Sequence, residues 1–216
     1  MADALPRFAE IDGHDAVRQL LQNASRQDRL AHALLFAGAD GIGKRSFTQA
    51  FIAWLTCTER GDDACGQCAA CRQLAAGSHP DVKWIGLSEK KKEIGVDRAR
   101  EIKRFAQLRP AAAPQKAIVV DPAQCLNVAA QNALLKTLED PPLRSILILI
   151  ANNADALLPT VRSRCQRLNF RPLPQDLVAR ILVEKEGLAA GKAGELAAVA
   201  EGSPGRALAL QRYLGQ

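Results

Sequence analysis

Residues 33–45 read ALLFAGADGIGKR, and this stretch decides the fold class. Its first five residues are apolar and end at a glycine, which predicts a buried strand that leads into a loop. The loop GADGIGK at 38–44 has the form of a phosphate-binding loop, in which backbone N–H groups surround phosphates and a lysine neutralises them. Residues 46–55 then predict a helix. Strand, glycine-rich loop and helix in this order indicate an α/β fold of the P-loop type.

Strand-like and helix-like segments continue to alternate after this stretch. Apolar strands are predicted at 81–85, 117–120, 146–150 and 166–170, and helices at 96–108 and 127–139. The segment at 146–150 is wholly aliphatic, as expected for a central strand that is covered on both faces. The alternation predicts a parallel sheet flanked by helices. The segment FRPLP at 170–174 then marks a boundary, so we expect a nucleotide-binding-like domain over 1–171 and a small helical lid domain over 172–216.

The predicted nucleotide site departs from that of a competent ATPase at two positions. Arg45 stands where a serine or threonine would hold Mg²⁺. Asp121 follows a predicted strand, but the next residue is Pro122 instead of a glutamate that would orient the attacking water. We therefore predict the loop architecture without ATP hydrolysis, while weak nucleotide binding and an empty loop remain open alternatives. The candidate nucleotide-site residues are Gly38, Gly41, Gly43, Lys44, Arg45 and Asp121.

Four cysteines lie within fifteen residues just after this loop and helix, at Cys57, Cys65, Cys68 and Cys71. The last three are separated by two residues each, a spacing that lets a short turn direct several thiolates at one metal ion. Four thiolates complete the tetrahedral coordination of Zn²⁺, which predicts a structural zinc module at about 57–71. Four free thiols are the alternative, but they leave the spacing unexplained. His79 could replace one ligand, although we expect it to cap the strand that follows.

Composition limits the class of protein only loosely. The formal charge of +6 fits an acidic partner or nucleic acid without demonstrating either. The N-terminal residues contain no apolar signal segment, and no apolar run approaches the ~20 residues that a membrane span requires. We therefore expect a cytoplasmic protein without membrane association, in which clustered cysteines bind metal rather than form disulfides.

Taken together, these motifs resemble the delta-prime family of clamp-loader subunits of bacterial DNA polymerase III, a branch of the AAA+ ATPases. The resemblance covers essentially the whole chain. It is carried by the four cysteines and by HALLF at 32–36, SHPD at 78–81, NALLKTLEDPP at 132–142, RSRC at 162–165 and GSPG at 202–205. It implies a subunit of a five-membered arc that opens the sliding clamp and closes it around primer-template DNA. The implied partners are gamma/tau and delta subunits, the clamp and DNA.

The resemblance also implies a role for Ser163 and Arg164. In this family the arginine of the Ser-Arg-Cys motif reaches into the ATP site of the neighbouring subunit, which makes Arg164 an arginine finger acting in trans. A salt bridge on its own surface is the alternative for this side chain. Gly205 stands where ATPase relatives have an arginine that contacts nucleotide, so a third contact is altered. The chain is then not an enzyme by itself but part of a DNA-directed DNA polymerase complex, and we expect it to lack the family's C-terminal collar domain.

Two other functions remain open at this point. Lys44 and Asp121 favour a self-contained, weak ATPase of the gamma/tau type. A zinc-dependent DNA-binding module is the other alternative, although a solvated helix face explains basic runs more commonly. Its candidate phosphate contacts are Lys90, Lys91, Lys92, Arg98, Arg100, Lys103 and Arg104.

Overall fold

The structure, a computed structural model, describes residues 6–59, 61–88 and 91–214, and a parallel sheet lies at its centre. The strands are β1 (Ala33–Ala37), β2 (Val82–Ile85), β3 (Lys116–Val120), β4 (Ser145–Ala151) and β5 (Gln166–Asn169). The helices that precede or connect the strands are α1 (Asp15–Arg26), α2 (Lys44–Thr56), α3 (Ala69–Ala75), α4 (Val96–Gln107), α5 (Val128–Glu139) and α6 (Pro159–Arg162). Three more follow the sheet, namely α7 (Gln175–Glu184), α8 (Ala190–Val199) and α9 (Pro204–Leu214).

The strands lie in the order β2-β3-β4-β1-β5, and every neighbouring pair is parallel. Successive side chains of a strand point to opposite faces, so each strand contributes to both sides of the sheet. In β4, Ile146, Ile148 and Ile150 pack on one face and Leu147 and Leu149 on the other. The predicted parallel sheet, with 146–150 as a central strand, is therefore confirmed.

Each face of the sheet is covered by helices. Helix α2 packs on the face that carries Leu34 and Phe36, with Phe47 and Phe51 fully buried against it. Helices α4 and α5 cover the opposite face through Ile102 and other apolar side chains. None of the helices in the described ranges combines the length and the hydrophobicity that a membrane span requires.

Helix boundaries differ slightly from those predicted, for local reasons. Helix α2 begins at Lys44 instead of residue 46, because Gly43 with φ 96° ends the loop and serves as the N-cap. Helix α9 begins at Pro204, and the Oγ of Ser203 accepts a hydrogen bond from the N–H of Arg206 at 3.1 Å. Helices α7 to α9 share an apolar core of their own around Val178, Leu182 and other side chains. The division into domains at residue 171 stays a prediction.

A buried carboxylate holds the loop that precedes β3. Asp81 is fully buried and accepts hydrogen bonds from the N–H groups of Ala111, Ala112 and Ala113, with shortest distances of 2.8, 2.6 and 2.8 Å. The ammonium of Lys116, also buried, lies 3.0 Å from the same carboxylate. Burial raises the pKa of Asp81, but these donors outweigh it and hold the pKa well below its usual range. As predicted, His79 caps the strand, since its Nδ1 accepts a hydrogen bond from the N–H of Asp81 at 3.1 Å.

Replacing Asp81 by asparagine is expected to lower the free energy of unfolding by about 3–5 kcal/mol, because the ammonium of Lys116 is left buried without its counter-charge. Urea denaturation of the two proteins measures the difference. Asp97→Asn is the matched control. It also removes a carboxylate that pairs with a basic side chain, but Asp97 is 87% exposed and we expect a change below about 1 kcal/mol. Equal effects of the two substitutions would contradict the interpretation.

Candidate functional site

The glycine-rich loop lies at the carboxyl ends of the strands, between β1 and α2. Gly41 and Gly43 have φ values of +71° and +96°, which residues other than glycine rarely adopt. Asp121 follows β3 directly, and β4 separates β1 from β3 in the sheet. The fold therefore brings the predicted loop and the predicted carboxylate to the same edge of the sheet, where α/β proteins bind ligands.

The ammonium of Lys44 is satisfied by the loop itself. Its Nζ donates to the carbonyl oxygens of Gly38 at 2.7 Å and Ala39 at 2.6 Å, and the residue is 6% exposed. Burial lowers the pKa of Lys44, and the carboxylates of Asp40 and Asp121 partly oppose this shift. The lysine thus has two close acceptors within its own loop.

Arg45 and Asp121 form an ion pair across the predicted nucleotide site. The Nη1 of Arg45 lies 3.0 Å from the Oδ2 of Asp121, and the guanidinium also lies 5.3 Å from the centre of the Trp84 ring. Burial raises the pKa of Asp121, and the charge of Arg45 opposes this shift. In P-loop ATPases the residues at these two positions hold Mg²⁺ together. Here the carboxylate of Asp121 pairs with the guanidinium of Arg45 instead.

A cavity of about 520 Å³ adjoins this ion pair, lined among others by Ser46, Gln124 and Asn152. Ser46 is exposed at its edge, one position after the residue that would hold Mg²⁺. Polar groups and room are therefore present beside the loop, but the carboxylate that would bind the metal is already paired.

Helix α9 contacts the glycine-rich loop directly. The N–H of Gly205 donates to the carbonyl oxygen of Gly41 at 3.0 Å, and the Oγ of Ser203 donates to that of Asp40 at 2.7 Å. A Cβ on Gly205 would lie 2.6 Å from the Cα of Gly41, so the close approach requires glycine. Arg206 pairs instead with Glu201. Ser203 also caps α9, and nothing in the sequence places this helix against the loop.

The four clustered cysteines come together between α2 and α3. Their sulfur atoms all lie within 4.8 Å of one another. Zn–S bonds of about 2.3 Å in a tetrahedron require sulfur atoms about 3.8 Å apart, and the Sγ atoms of Cys57 and Cys68 are separated by 3.9 Å. The donor set therefore fits a tetrahedral metal ion, and these residues could hold one. His79 lies outside the cluster.

Backbone N–H groups point at the sulfur atoms of this cluster. The N–H of Cys65 lies 3.4 Å from the Sγ of Cys57, and those of Gln67 and Cys68 lie 3.4 and 3.3 Å from the Sγ of Cys65. Burial raises the pKa of Cys57 and Cys71. Burial also opposes ionisation of Cys68, but the N–H of Cys71 and other donors outweigh it and lower its pKa to about 6. Such donors favour the thiolate form that a metal requires.

The cysteine module is tied to the N-terminal segment through Asp63. Its carboxylate accepts hydrogen bonds from the N–H groups of Phe8 at 3.0 Å and Ala9 at 2.8 Å. The indole N–H of Trp54 in α2 also donates to the carbonyl oxygen of Gly61 at 3.0 Å. The loop between the first two cysteines therefore fixes segments outside the module.

Arg164 lies on the surface, just after α6. Its Nη2 is 2.6 Å from the Oε1 of Glu139, and its Nη1 donates to the carbonyl oxygen of Thr160 at 3.0 Å. The Oγ of Ser163 lies 3.4 Å from the same Nη1. The side chain of Arg164 is 35% exposed. The surface salt bridge, which was the alternative for Arg164, is present, and its role as an arginine finger in trans stays a prediction.

Helix α5 supports the segment that carries Arg164. The side chain of buried Gln131 accepts from the N–H of Leu158 at 2.7 Å, at the start of α6, and donates to the carbonyl oxygen of Leu126 at 2.9 Å. Glu139 is the last residue of the same helix. The sequence did not indicate these contacts, because Leu158 is 27 residues from Gln131 and Arg164 is 25 residues from Glu139.

Two members of the basic run proposed for DNA binding, Arg98 and Arg100, are paired with acidic side chains. Arg98 and Lys83 lie within 2.7 Å of Glu101, and Arg100 lies 3.1 Å from Asp97. Lys90 lies outside the described residues. The pairs match a solvated helix face, and they do not favour the phosphate-binding alternative.

Comparisons with known proteins fit this geometry. Residues 13–174 match a family described as DNA polymerase III, delta subunit. The chain is 39% identical over 192 residues to DNA polymerase III subunit delta' of Pseudomonas aeruginosa, covering 86% of this chain and 56% of that protein. It is 35% identical over 210 residues to DNA polymerase III subunit tau of Bacillus subtilis, covering 94% of this chain and 37% of that protein. It thus spans about half or less of these relatives.

A solved structure supports the fold assignment. The RuvB Holliday junction branch migration motor of Thermotoga maritima aligns with 98% of this chain and 65% of its own, with a TM-score of 0.61 and 14% sequence identity. At this identity the likeness concerns the fold alone. Together with the parallel sheet and the four-cysteine cluster, it confirms the predicted AAA+ type of architecture.

Proposed function

The chain belongs to the family described as DNA polymerase III, delta subunit, and on that premise we propose that it is a delta-prime clamp-loader subunit that does not hydrolyse ATP itself. In this proposal it joins gamma/tau and delta subunits, helps to load the sliding clamp onto primer-template DNA, and lends Arg164 to the ATP site of a neighbour. The 39% identity to a delta' subunit supports this choice.

The ion pair between Arg45 and Asp121 is the observation that carries the proposal. Mg²⁺ at an ATP site needs a hydroxyl and a carboxylate at these positions. The guanidinium replaces the hydroxyl and neutralises the carboxylate at 3.0 Å. A metal ion would therefore have to displace a cation that is covalently part of the chain, which opposes Mg²⁺-dependent hydrolysis here.

The surface position of Arg164 supports its role in trans. A rigid guanidinium with several N–H donors suits the charge that develops on a transferring phosphoryl group. A finger must reach another subunit, so it has to be accessible, and 35% of this side chain is exposed. Ser163 adds a hydroxyl beside it.

The metal proposed for the cysteine cluster is zinc in a structural role. Four thiolates leave no open coordination position for a substrate, in contrast to catalytic zinc sites. The proposed module covers residues 57–71 within an α/β domain of residues 1–171, and residues 172–216 form the proposed helical lid domain.

A weak ATPase of the gamma/tau type is the second candidate function. The similarity to a tau subunit extends over 94% of this chain at 35% identity. Lys44 and Asp121 are also both present at the site. Against this candidate stand Arg45, Pro122 and Gly205, each at a position where an ATPase would use a different side chain.

The isolated chain is expected to release no phosphate from Mg²⁺-ATP above a protein-free control, because the metal-binding carboxylate is already paired. A coupled phosphate-release assay measures this, with the gamma/tau subunit of the same organism as the positive control. Lys44→Ala should leave the background unchanged. Turnover that this substitution abolishes would favour the second candidate instead.

A further inference from the structure

The guanidinium of Arg164 is held from one side by its own chain. Its Nη2 lies 2.6 Å from the Oε1 of Glu139, and its Nη1 donates to the carbonyl oxygen of Thr160 at 3.0 Å. An arginine side chain has four rotatable bonds before the guanidinium, and two anchors on different helices restrict them strongly. The head group is therefore fixed before any neighbour arrives.

One N–H donor is left over on this guanidinium. Arginine carries five N–H groups, and in the parts of the chain that the structure describes the Nε–H of Arg164 has no acceptor. Nε and Nη2 form one edge of the planar fork, and such an edge matches two oxygen atoms of a phosphate. The contacts with Glu139 and Thr160 thus leave the Nε–H unused, on the same edge as the Nη2 that pairs with Glu139.

Glu139 occupies a position that helix stability alone does not favour. It is the last residue of α5, where a carboxylate faces the negative end of the helix dipole. Its ion pair with Arg164 offsets that unfavourable placement. Gln131 holds the start of α6 from the same helix through the N–H of Leu158. Helix α5 therefore fixes both ends of the segment 158–164.

From these contacts we propose that Glu139 is a positioning residue for the arginine finger. It does not touch the substrate. It holds the guanidinium of Arg164 so that the unused Nε–H is presented to the γ-phosphate at the neighbouring ATP site, which lowers the cost of ordering this side chain in the transition state. The inference rests on the proposed role of Arg164 in trans.

The test uses a clamp loader reconstituted from full-length subunits, assayed for ATP hydrolysis in the presence of clamp and primed DNA. Glu139→Gln keeps the shape of the side chain but removes its charge, and we expect kcat to fall about three- to fivefold, as for the loss of one exposed ion pair. KM for ATP and the affinity of the subunit for its partners should not change. Asp140→Asn is the matched control, because it neutralises the adjacent carboxylate, for which no ion pair exists in the described residues.

The decisive comparison is made in the Arg164→Ala background. If Glu139 acts through Arg164, Glu139→Gln has no further effect there, whereas a general structural role would reduce the rate by the same factor in both backgrounds. An equal reduction, or one that follows weaker assembly, overturns the inference. If Arg164→Ala slows hydrolysis and Glu139→Gln alone does not, only this inference fails. If Arg164→Ala itself has no effect, the proposed function fails with it.

Discussion

Replacing Arg164 by alanine is expected to lower clamp- and DNA-stimulated ATP hydrolysis at the one neighbouring site that it completes in the reconstituted complex by about 10³-fold or more. Arginine fingers contribute about 10³–10⁵ in kcat in related phosphoryl-transfer systems, because they neutralise charge that develops only in the transition state. The loss should lie in kcat, with little change in nucleotide affinity, since the finger contributes little to ground-state binding. Steady-state hydrolysis by the assembled complex, measured across ATP concentrations, separates the two quantities.

Two further variants make this result specific. Arg167→Ala removes another exposed arginine three residues away, whose Nε donates to Asn169 at 2.8 Å, and should leave the rate nearly unchanged. Arg164→Lys keeps the charge but loses the planar fork, so an intermediate rate is expected. Hydrolysis that is unaffected by Arg164→Ala would contradict the trans role, and equal losses in the two alanine variants would indicate a general effect of surface charge.

The architecture could be predicted because its signals are local. The apolar run of β4 is encoded by residues that are close together in sequence, and so is the turn from β1 through Gly41 and Gly43 into α2. The structure contains both of these features. The cysteine cluster could also be predicted from the sequence, since two-residue intervals bring thiolates together within one turn. The predicted helix ends were less accurate, because a cap such as Gly43 depends on a backbone angle that the amino-acid sequence does not specify.

The contacts that define the proposed function were not predictable in the same way. Arg45 and Asp121 are 76 residues apart in sequence. Their pairing depends on the strand order, in which β4 lies between β1 and β3. The hydrogen bond between Gly205 and Gly41 depends on how α9 packs on the loop. In each case the sequence showed that a residue expected to contact nucleotide or Mg²⁺ was missing. It did not show that another group of the same chain bonds at that place instead.

These substitutions have a common physical consequence. Lys44 donates to Gly38 and Ala39, Arg45 pairs with Asp121, and Gly205 donates to Gly41. The lysine and the carboxylate that a nucleotide and its metal would contact in an ATPase are paired here within the chain. These internal pairs agree with the proposed role of a subunit that does not hydrolyse ATP itself.

Removal of the metal from the cysteine cluster is expected to cause local unfolding that extends to the N-terminal segment. In the proposed zinc site, one ion holds together four sulfur atoms that lie within 4.8 Å of one another. Apparent binding free energies at structural zinc sites reach about 10–16 kcal/mol, so its loss removes most of the local stability. Asp63 lies in the loop between the first two cysteines and accepts the N–H groups of Phe8 and Ala9, and these bonds should open when that loop unfolds.

Hydrogen exchange before and after treatment with a chelator measures this effect. Amide protection at Phe8, Ala9 and residues 65–71 should fall by about 10³-fold or more, whereas the amides of β4 should remain protected, since local and global opening are separate events. Cys68→Ser should reproduce the loss without a chelator. Cys125→Ser, which changes a cysteine outside the cluster, should not. Metal analysis of the untreated protein should give one zinc ion per chain. If protection at Phe8 and Ala9 survives complete metal removal, the module does not anchor that segment, because a carboxylate on an unfolded loop could not continue to hold both N–H groups in place.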